Sequence, residues 1–161
     1  MVTTTTIAEK NIWAVVETVT DPEVPVLSIT DLGIVRDVKI NDEEIEVIIT
    51  PTYTGCPAMD MIAMNIRMAL VENGYRNIKI TSVLSPAWTT DWMTDAGKQK
   101  LKAYGIAPPV TRSDDASDLV IECPQCRSHN TKLISQFGST ACKALYQCTD
   151  CKEPFDHFKC H

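Results

Sequence analysis

The sequence predicts an α/β (α+β) protein, in which a small domain with the element order α-β-β-α-β-α is followed by a C-terminal zinc ribbon. In the first two thirds of the chain, segments with helical periodicity of apolar residues alternate with short β-branched segments. Further along, six of the seven cysteines follow residue 118. We therefore expect a domain over residues 1–105, a proline-rich and acidic linker over 106–118, and a zinc ribbon over 119–161.

Composition narrows the classes of function. The chain has 161 residues, a net charge of -6 and a pI near 5.0, which argues against a general nucleic-acid binder. No apolar run approaches the ~20 residues that a membrane helix needs, and the first residues lack the features of a secretory signal. We therefore expect a cytoplasmic protein that does not bind membranes, in which cysteines serve metal or redox chemistry more than disulfides.

Local patterns predict each element of the first domain. A first helix is expected from Thr6, which has capping-box spacing to Glu9, to about Val19. Turn residues separate the first two strands, which should form a hairpin, and Thr94 can cap the last helix. The remaining predicted elements are strands 36–40, 45–49 and 77–84 and helices 58–73 and 95–104.

The second helix has two apolar stripes. One stripe consists of Ala58, Ile62, Ile66 and Leu70. The other consists of Met61, Met64, Met68 and Val71. At least one stripe must cover the sheet. For the methionine stripe, the general tendency of methionine to be buried favours a core position over a contact with a partner subunit.

The loop over residues 50–57 connects the second strand to the second helix and contains Cys56. Proline is favoured at the first helical position, so Pro57 is expected there with Cys56 at the N-cap, and Gly55 permits a tight turn before it. The helix dipole would then favour the thiolate form of Cys56. Two interpretations have equal weight: a sulfur that binds metal or reacts, and a small apolar side chain that fills a gap.

Residues 21–33 contain the acids Asp21, Glu23 and Asp31 among many apolar residues. A loop this apolar is expected to lie against the core. We interpret its acids as solvated or turn-forming, because aspartate is common in turns and charged residues are mostly exposed.

Two Cys-x-x-Cys pairs provide the strongest chemical signal. They are Cys123 with Cys126 and Cys148 with Cys151, separated by 21 residues. Four thiolates at the corners of a tetrahedron suit structural zinc, and a closed site of this kind leaves no position open for catalysis. Iron or a cluster in the same thiolates is an alternative that spacing does not distinguish.

Five further residues of this region could bind metal. They are Cys142, Cys160, His129, His157 and His161. The two cysteines are extra thiols and the three histidines are candidate substitute ligands, but we interpret all five as bystanders.

Several segments carry a resemblance to a known family: Asp21-Pro22-Glu23-Val24-Pro25, Asp31-Leu32-Gly33-Ile34-Val35, Thr50-Pro51-Thr52-Tyr53-Thr54-Gly55-Cys56-Pro57, Trp88-Thr89-Thr90-Asp91-Trp92, and residues 137–144 and 151–155. The first three resemble the small SufT-like iron-sulfur assembly-factor domain. With the others, they make the chain similar to the PaaD family, accessory proteins of the phenylacetyl-CoA epoxidase system. The resemblance covers nearly the whole chain.

The resemblance implies a role in aerobic phenylacetate degradation, as a non-catalytic factor that helps to mature iron-sulfur or di-iron centres. Its expected partners are the oxygenase or reductase subunits of the epoxidase. Apart from the resemblance, a homodimer is a further option. Cys56 would be the functional thiol and would hold iron or a cluster transiently, with Asp21, Glu23, Asp31 and Thr54 in neighbouring loops. Two alternatives are a structural adaptor subunit of the epoxidase complex and a thiol enzyme, which would need a base beside Cys56.

Overall fold

The computed structural model describes residues 7–110 and 120–159, so the predicted helix cap Thr6 lies outside the described residues. The chain divides into two compact units. The first comprises residues 1–88 with 92–94, and the second comprises 89–91 with 95–161. Each unit contains one three-stranded sheet, which confirms the predicted α+β class and the element order.

The first unit has two helices and a mixed sheet in the order β1-β2-β3. Strand β1 is antiparallel to β2, as the predicted hairpin requires, and β3 is parallel to β2. A connection between neighbouring parallel strands must cross from one end of the sheet to the other, and the second helix makes this connection. The elements are α1 (Ile7–Glu17), β1 (Val35–Asn41), β2 (Glu44–Ile49), α2 (Ala58–Glu72) and β3 (Asn77–Ser82).

The core of this unit lies between the helices and the sheet. Residues from α1, α2 and β2 contribute to it, and so does the loop between α1 and β1. Burying each such aliphatic side chain stabilises the fold by about 1.5–3 kcal/mol. The fully buried members include Ile12, Leu27, Ile29, Leu32, Val47, Ile62, Ile66 and Leu70. The apolar loop over residues 21–33 therefore lies against the core, as predicted.

The two stripes of α2 have opposite environments. Ala58, Ile62, Ile66 and Leu70 are buried, whereas Met61, Met64, Met68 and Val71 are 49%, 56%, 53% and 53% exposed. The prediction that the methionine stripe belongs to the core is wrong. At about 100° per residue the two stripes lie on opposite sides of the helix, and the sheet covers only one of them.

The second unit combines a helix with an antiparallel sheet in the order β4-β5-β6. Its elements are α3 (Asp95–Tyr104), β4 (Thr131–Ser135), β5 (Lys143–Cys148) and β6 (Pro154–Phe158). No helix within the described ranges is both long and apolar enough to span a bilayer.

The division between the units differs from the predicted boundary at residue 105. Helix α3 groups with the ribbon, although the sequence assigned it to the first domain. The predicted linker begins with Ile106 and Ala107, yet Ala107 is buried and hydrogen-bonds through its backbone to Asp156 and Phe158 at 2.8 and 2.9 Å. It extends the ribbon sheet because β6 would otherwise leave these backbone groups unpaired. Residues 111–118 of the linker lie outside the described ranges.

Candidate functional site

Cys56 lies in the loop between β2 and α2 as a free, half-buried thiol. Its backbone N–H donates to the carbonyl of Tyr53 (3.3 Å), and its own carbonyl accepts from the N–H of Met59 (3.2 Å). Pro57 is the N-cap residue of α2, with φ -68° and ψ -20°, so the helix begins one residue later than predicted. Cys56 therefore precedes the N-cap. The shift is small because Pro57 already has helical backbone angles.

The turn before Cys56 depends on Gly55, as the sequence predicted. Gly55 has φ +78°, and a Cβ added there would meet no atom within 4 Å. The constraint on this position is therefore conformational and not steric, because left-handed backbone angles disfavour residues with a side chain.

The sheet brings three segments together at one end of its strands. Because β2 and β3 are parallel and β1 is antiparallel to β2, the ends of β2 and β3 lie beside the start of β1. The N–H of Thr50 donates to the carbonyl of Ile34 (2.9 Å), and the N–H of Val83 donates to the carbonyl of Ile49 (2.9 Å). The Cys56 loop, the acidic loop and the segment after β3 therefore begin or end together. In open α/β sheets, ligands commonly bind beyond the carboxyl ends of strands.

Asp21 and Asp31 are buried in the acidic loop. An oxygen of Asp21 accepts backbone N–H groups from Glu23 (2.7 Å) and Val24 (3.1 Å). The carboxylate of Asp31 accepts the hydroxyl of Thr94 (3.0 Å), and the Asp31 backbone carbonyl accepts the N–H of the same threonine (2.9 Å). The predicted turn-forming role is therefore correct for Asp21, whereas solvation is wrong for both aspartates, because the turns bury them. Their influence on Cys56, with that of Glu23 and Thr54, stays a prediction.

Two tryptophans hold the segment after β3 against the acidic loop. The indole N–H of Trp88, which is buried, donates to the carbonyl of Leu32 (2.8 Å). The guanidinium carbon of Arg36 lies 3.5 Å from the ring centroid of Trp92. Gly33 has φ +72°, and a Cβ added there would lie 2.4 Å from the carbonyl oxygen of Trp92. The sequence motifs contain Gly33, Trp88 and Trp92. The contacts between them could not be predicted, because they form only in the tertiary structure.

The second unit gathers the four predicted ribbon cysteines. The sulfur atoms of Cys123, Cys126, Cys148 and Cys151 all lie within 4.8 Å of one another. The Sγ atoms of Cys123 and Cys151 are 3.8 Å apart, and those of Cys126 and Cys148 are 3.6 Å apart. A tetrahedron with Zn–S bonds of about 2.3 Å has edges of about 3.8 Å, so the donor set fits zinc. These four residues would hold the ion as thiolates and close its coordination sphere.

The two cysteine knuckles have the same local structure. Arg127 and Lys152, which each follow the second cysteine of a pair, have φ of 63° and 70°. In each knuckle the N–H of the first cysteine donates to the carbonyl two residues beyond the second, at 2.9 and 3.0 Å. Side chains also join the knuckles, since Asn130 donates to Asp150 at 3.0 Å. Backbone geometry therefore orients all four sulfurs towards one point.

The thiols of this cluster do not ionise together. Backbone N–H groups, chiefly that of Cys151, lower the pKa of Cys148 to about 7. A backbone hydrogen bond from Glu153 acts in the same direction on Cys151, but burial and the neighbouring thiols outweigh it and raise the pKa of Cys151 to about 12. Binding of a divalent cation must therefore release protons, and the affinity for zinc decreases as the pH falls.

The other candidate ligands lie elsewhere in the second unit. Cys142 is buried beside Thr140, and the Nε2 atom of His129 is 3.8 Å from a carboxylate oxygen of Glu122. The group of metal-binding atoms found within the described ranges contains neither of them, nor His157. Cys160 and His161 lie outside the described residues.

His157 should make the second unit sensitive to acid. It is 4% exposed and lies edge-on to Tyr146, and its burial lowers the pKa of His157 from 6.5 to about 4. Between these values the unfolded chain binds more protons, so the free energy of unfolding decreases as the pH falls through this window, by up to about 3 kcal/mol.

Urea denaturation of zinc-loaded protein at pH 7 and pH 4.5 measures this effect. His157→Phe is expected to lose less stability on acidification than the wild type, while both variants share any acid-induced loss of metal. An equal loss in both proteins would contradict a role for His157.

Two family models match this chain, one in each unit. The family model for iron-sulfur cluster assembly proteins matches residues 9–80, and the model for the PaaD zinc beta ribbon domain matches residues 107–159. A protein of Escherichia coli that is named as a subunit of a 1,2-phenylacetyl-CoA epoxidase is 51% identical over 150 residues, which are 92% of this chain and 91% of that protein. The chain belongs to the PaaD family.

Two further matches cover little more than half of this PaaD-family chain. A protein of Porphyromonas gingivalis named as an Fe-S protein maturation auxiliary factor is 34% identical over 95 residues, covering 58% of this chain and 90% of that protein. The crystal structure of a domain of unknown function from Bacillus anthracis has a TM-score of 0.55 and 29% identity, and covers 58% of this chain and 90% of that one. This PaaD-family chain thus combines a segment matched by the iron-sulfur cluster assembly model with a segment matched by the ribbon model.

Proposed function

We propose that this PaaD-family protein is an accessory maturation factor for metal centres of the phenylacetyl-CoA epoxidase system in aerobic phenylacetate degradation. In this proposal Cys56 transiently holds iron or an iron-sulfur cluster as cargo and transfers it to an oxygenase or reductase subunit. Zinc in the ribbon has a structural role, and the chain itself catalyses no reaction.

The position of Cys56 carries the proposal. The thiol is half-buried, follows the carboxyl end of β2 and directly precedes the N-cap of α2. A partly accessible sulfur beside the N-terminus of a helix is suited to act as a metal ligand. A cysteine that only fills space is expected to be buried, as Cys142 is.

The names of the relatives support the two halves of the proposal separately. The relative that matches 58% of the chain is named for Fe-S protein maturation. The relative that matches nearly the whole chain is named as a subunit of the epoxidase. A maturation domain dedicated to one enzyme system is consistent with both names.

Replacement of the thiol tests the proposal. Cys56→Ala is expected to preserve the fold and zinc content of the chain but to abolish its support of epoxidase activity in cells that lack the wild-type chain. Iron measured by elemental analysis after oxygen-free purification is expected to fall in Cys56→Ser. Cys142→Ala removes a buried thiol elsewhere and serves as the control. Full epoxidase activity with Cys56→Ala would refute the maturation role.

A structural adaptor of the epoxidase complex is the second candidate, because the Escherichia coli relative is named as a subunit. An adaptor is expected to co-purify with the oxygenase in constant stoichiometry, and Cys56→Ala would leave both the complex and its activity intact. A maturation factor is expected to be absent from the mature complex, so the two candidates predict opposite results.

A further inference from the structure

Helix α2 presents an apolar ridge to solvent. The ridge consists of Met61, Met64, Met68 and Val71, each about half exposed. Surface helices normally have polar residues opposite their buried face. Here the buried face is complete without the ridge, so its apolar character does not serve the core of this unit.

The spacing of the ridge indicates what covers it. Its members are separated by three, four and three residues, which is the a-d-a-d pattern of a coiled-coil seam. Met61 and Met68 occupy a positions, and Met64 and Val71 occupy d positions. A second helix is therefore the complementary surface, because the knobs of such a seam fit between side chains of a facing helix.

We propose that the ridge is the contact between two copies of this chain, with their α2 helices side by side and parallel. In the heptad frame Arg67 occupies a g position and Glu72 the e position five residues later. Parallel pairs bring g of one helix against that e position of the other. Arg67 therefore faces Glu72 of the second copy, and the symmetry of the dimer repeats this pair of opposite charges.

The charges also select the parallel arrangement. An antiparallel pair that stacked the same four apolar residues would be centred near residue 66 and would bring the two Arg67 side chains together. One N–H of Arg67 donates to the carbonyl of Ile78 (2.9 Å), which places the guanidinium next to β3. Its other N–H groups remain suited to pair with a carboxylate.

The size of the ridge predicts a weak, reversible dimer. Four half-exposed side chains have on the order of 400 Å² of accessible surface area. This area is about half of the ~800 Å² that each partner buries in a standard interface. A parallel pair also places both Cys56 residues at the same end of the two helices, whereas an antiparallel pair would place them beyond opposite ends, further apart than the ~22 Å length of α2. The dimer itself does not depend on the function proposed for Cys56.

Sedimentation equilibrium of the full chain from about 1 µM to 1 mM, where weak interfaces dissociate, tests the proposal. The wild type is expected to dimerise reversibly, and Met64→Gln with Met68→Gln is expected to weaken the dimer at least about tenfold, since glutamine has a similar helix propensity. Leu84→Gln, which changes a 60% exposed leucine of the same unit outside the ridge, is the control and should dimerise normally.

Charge reversal tests the orientation at low ionic strength. Glu72→Arg and Arg67→Glu are each expected to weaken the dimer about tenfold, because each creates two repulsive pairs. The double variant Arg67→Glu with Glu72→Arg restores opposite charges, so it should dimerise better than Arg67→Glu alone. Arg67→Glu and the double variant both lack the hydrogen bond from Arg67 to Ile78, so the loss of this bond does not contribute to the difference between them.

Three outcomes would overturn the proposal. If the wild-type chain stays monomeric over the whole concentration range, the ridge does not bind a second copy and would instead contact a different protein. A dimer that Met64→Gln with Met68→Gln leaves unchanged would place the contact elsewhere. A double charge reversal that fails to improve on Arg67→Glu would exclude the parallel pairing.

Discussion

Cys148→Ser is expected to abolish zinc binding and unfold the ribbon. Cys148 is fully buried, and its sulfur lies 3.6 Å from that of Cys126 in the four-cysteine cluster. Among the described residues, the buried core around it is small: outside the four cysteines it contains Ala107, Ile121 and Phe155, with Tyr146 packed against them. Structural zinc contributes about 10–16 kcal/mol of apparent binding free energy in zinc-finger peptides, far more than such a core can replace.

The distribution of tryptophans allows each unit to be followed separately. Trp13, Trp88 and Trp92 all belong to the first unit, so their fluorescence reports on that unit alone. Cys148→Ser is expected to lose zinc by elemental analysis while the urea transition followed by tryptophan fluorescence persists. Cys142→Ser, a change at a buried thiol outside the cluster, should retain zinc. Full zinc content in Cys148→Ser would contradict the four-thiolate site.

Gly33→Ala is expected to destabilise the first unit by about 2–5 kcal/mol. Two costs add. The backbone at φ +72° disfavours any side chain, and the new Cβ would lie 2.4 Å from the carbonyl oxygen and 2.7 Å from the Cβ of Trp92. Backbone cannot move away as a flexible side chain can, so the segment after β3 must shift from the acidic loop.

Gly74→Ala separates these two costs. Gly74 also has a positive φ, +91°, but an added Cβ would meet no atom within 4 Å. It should therefore lose only the conformational part, about 1–2 kcal/mol. Urea unfolding followed by tryptophan fluorescence measures both variants. If Gly33→Ala cost no more than Gly74→Ala, the close contact with Trp92 would have no energetic weight.

Local chemistry determined much of this protein from its sequence. The knuckles were predictable because a Cys-x-x-Cys turn brings two sulfurs together within one short segment, whatever surrounds it. The order of helices and strands was predictable because the spacing of apolar residues follows the period of each element. The turn at Gly55 was predictable because few residues tolerate its backbone angles.

Packing between distant segments decided the rest. Both stripes of α2 have helical spacing, and only the sheet, lying on one side of the helix, selected Ile62 and Ile66 for the core and left the methionines exposed. Asp31 is buried because Thr94, 63 residues away in sequence, satisfies its carboxylate. Ala107 joins the ribbon because its backbone pairs with that of Asp156 and Phe158 in β6. Composition contains no information about such partners, since each contact exists only after the chain has brought the two segments together.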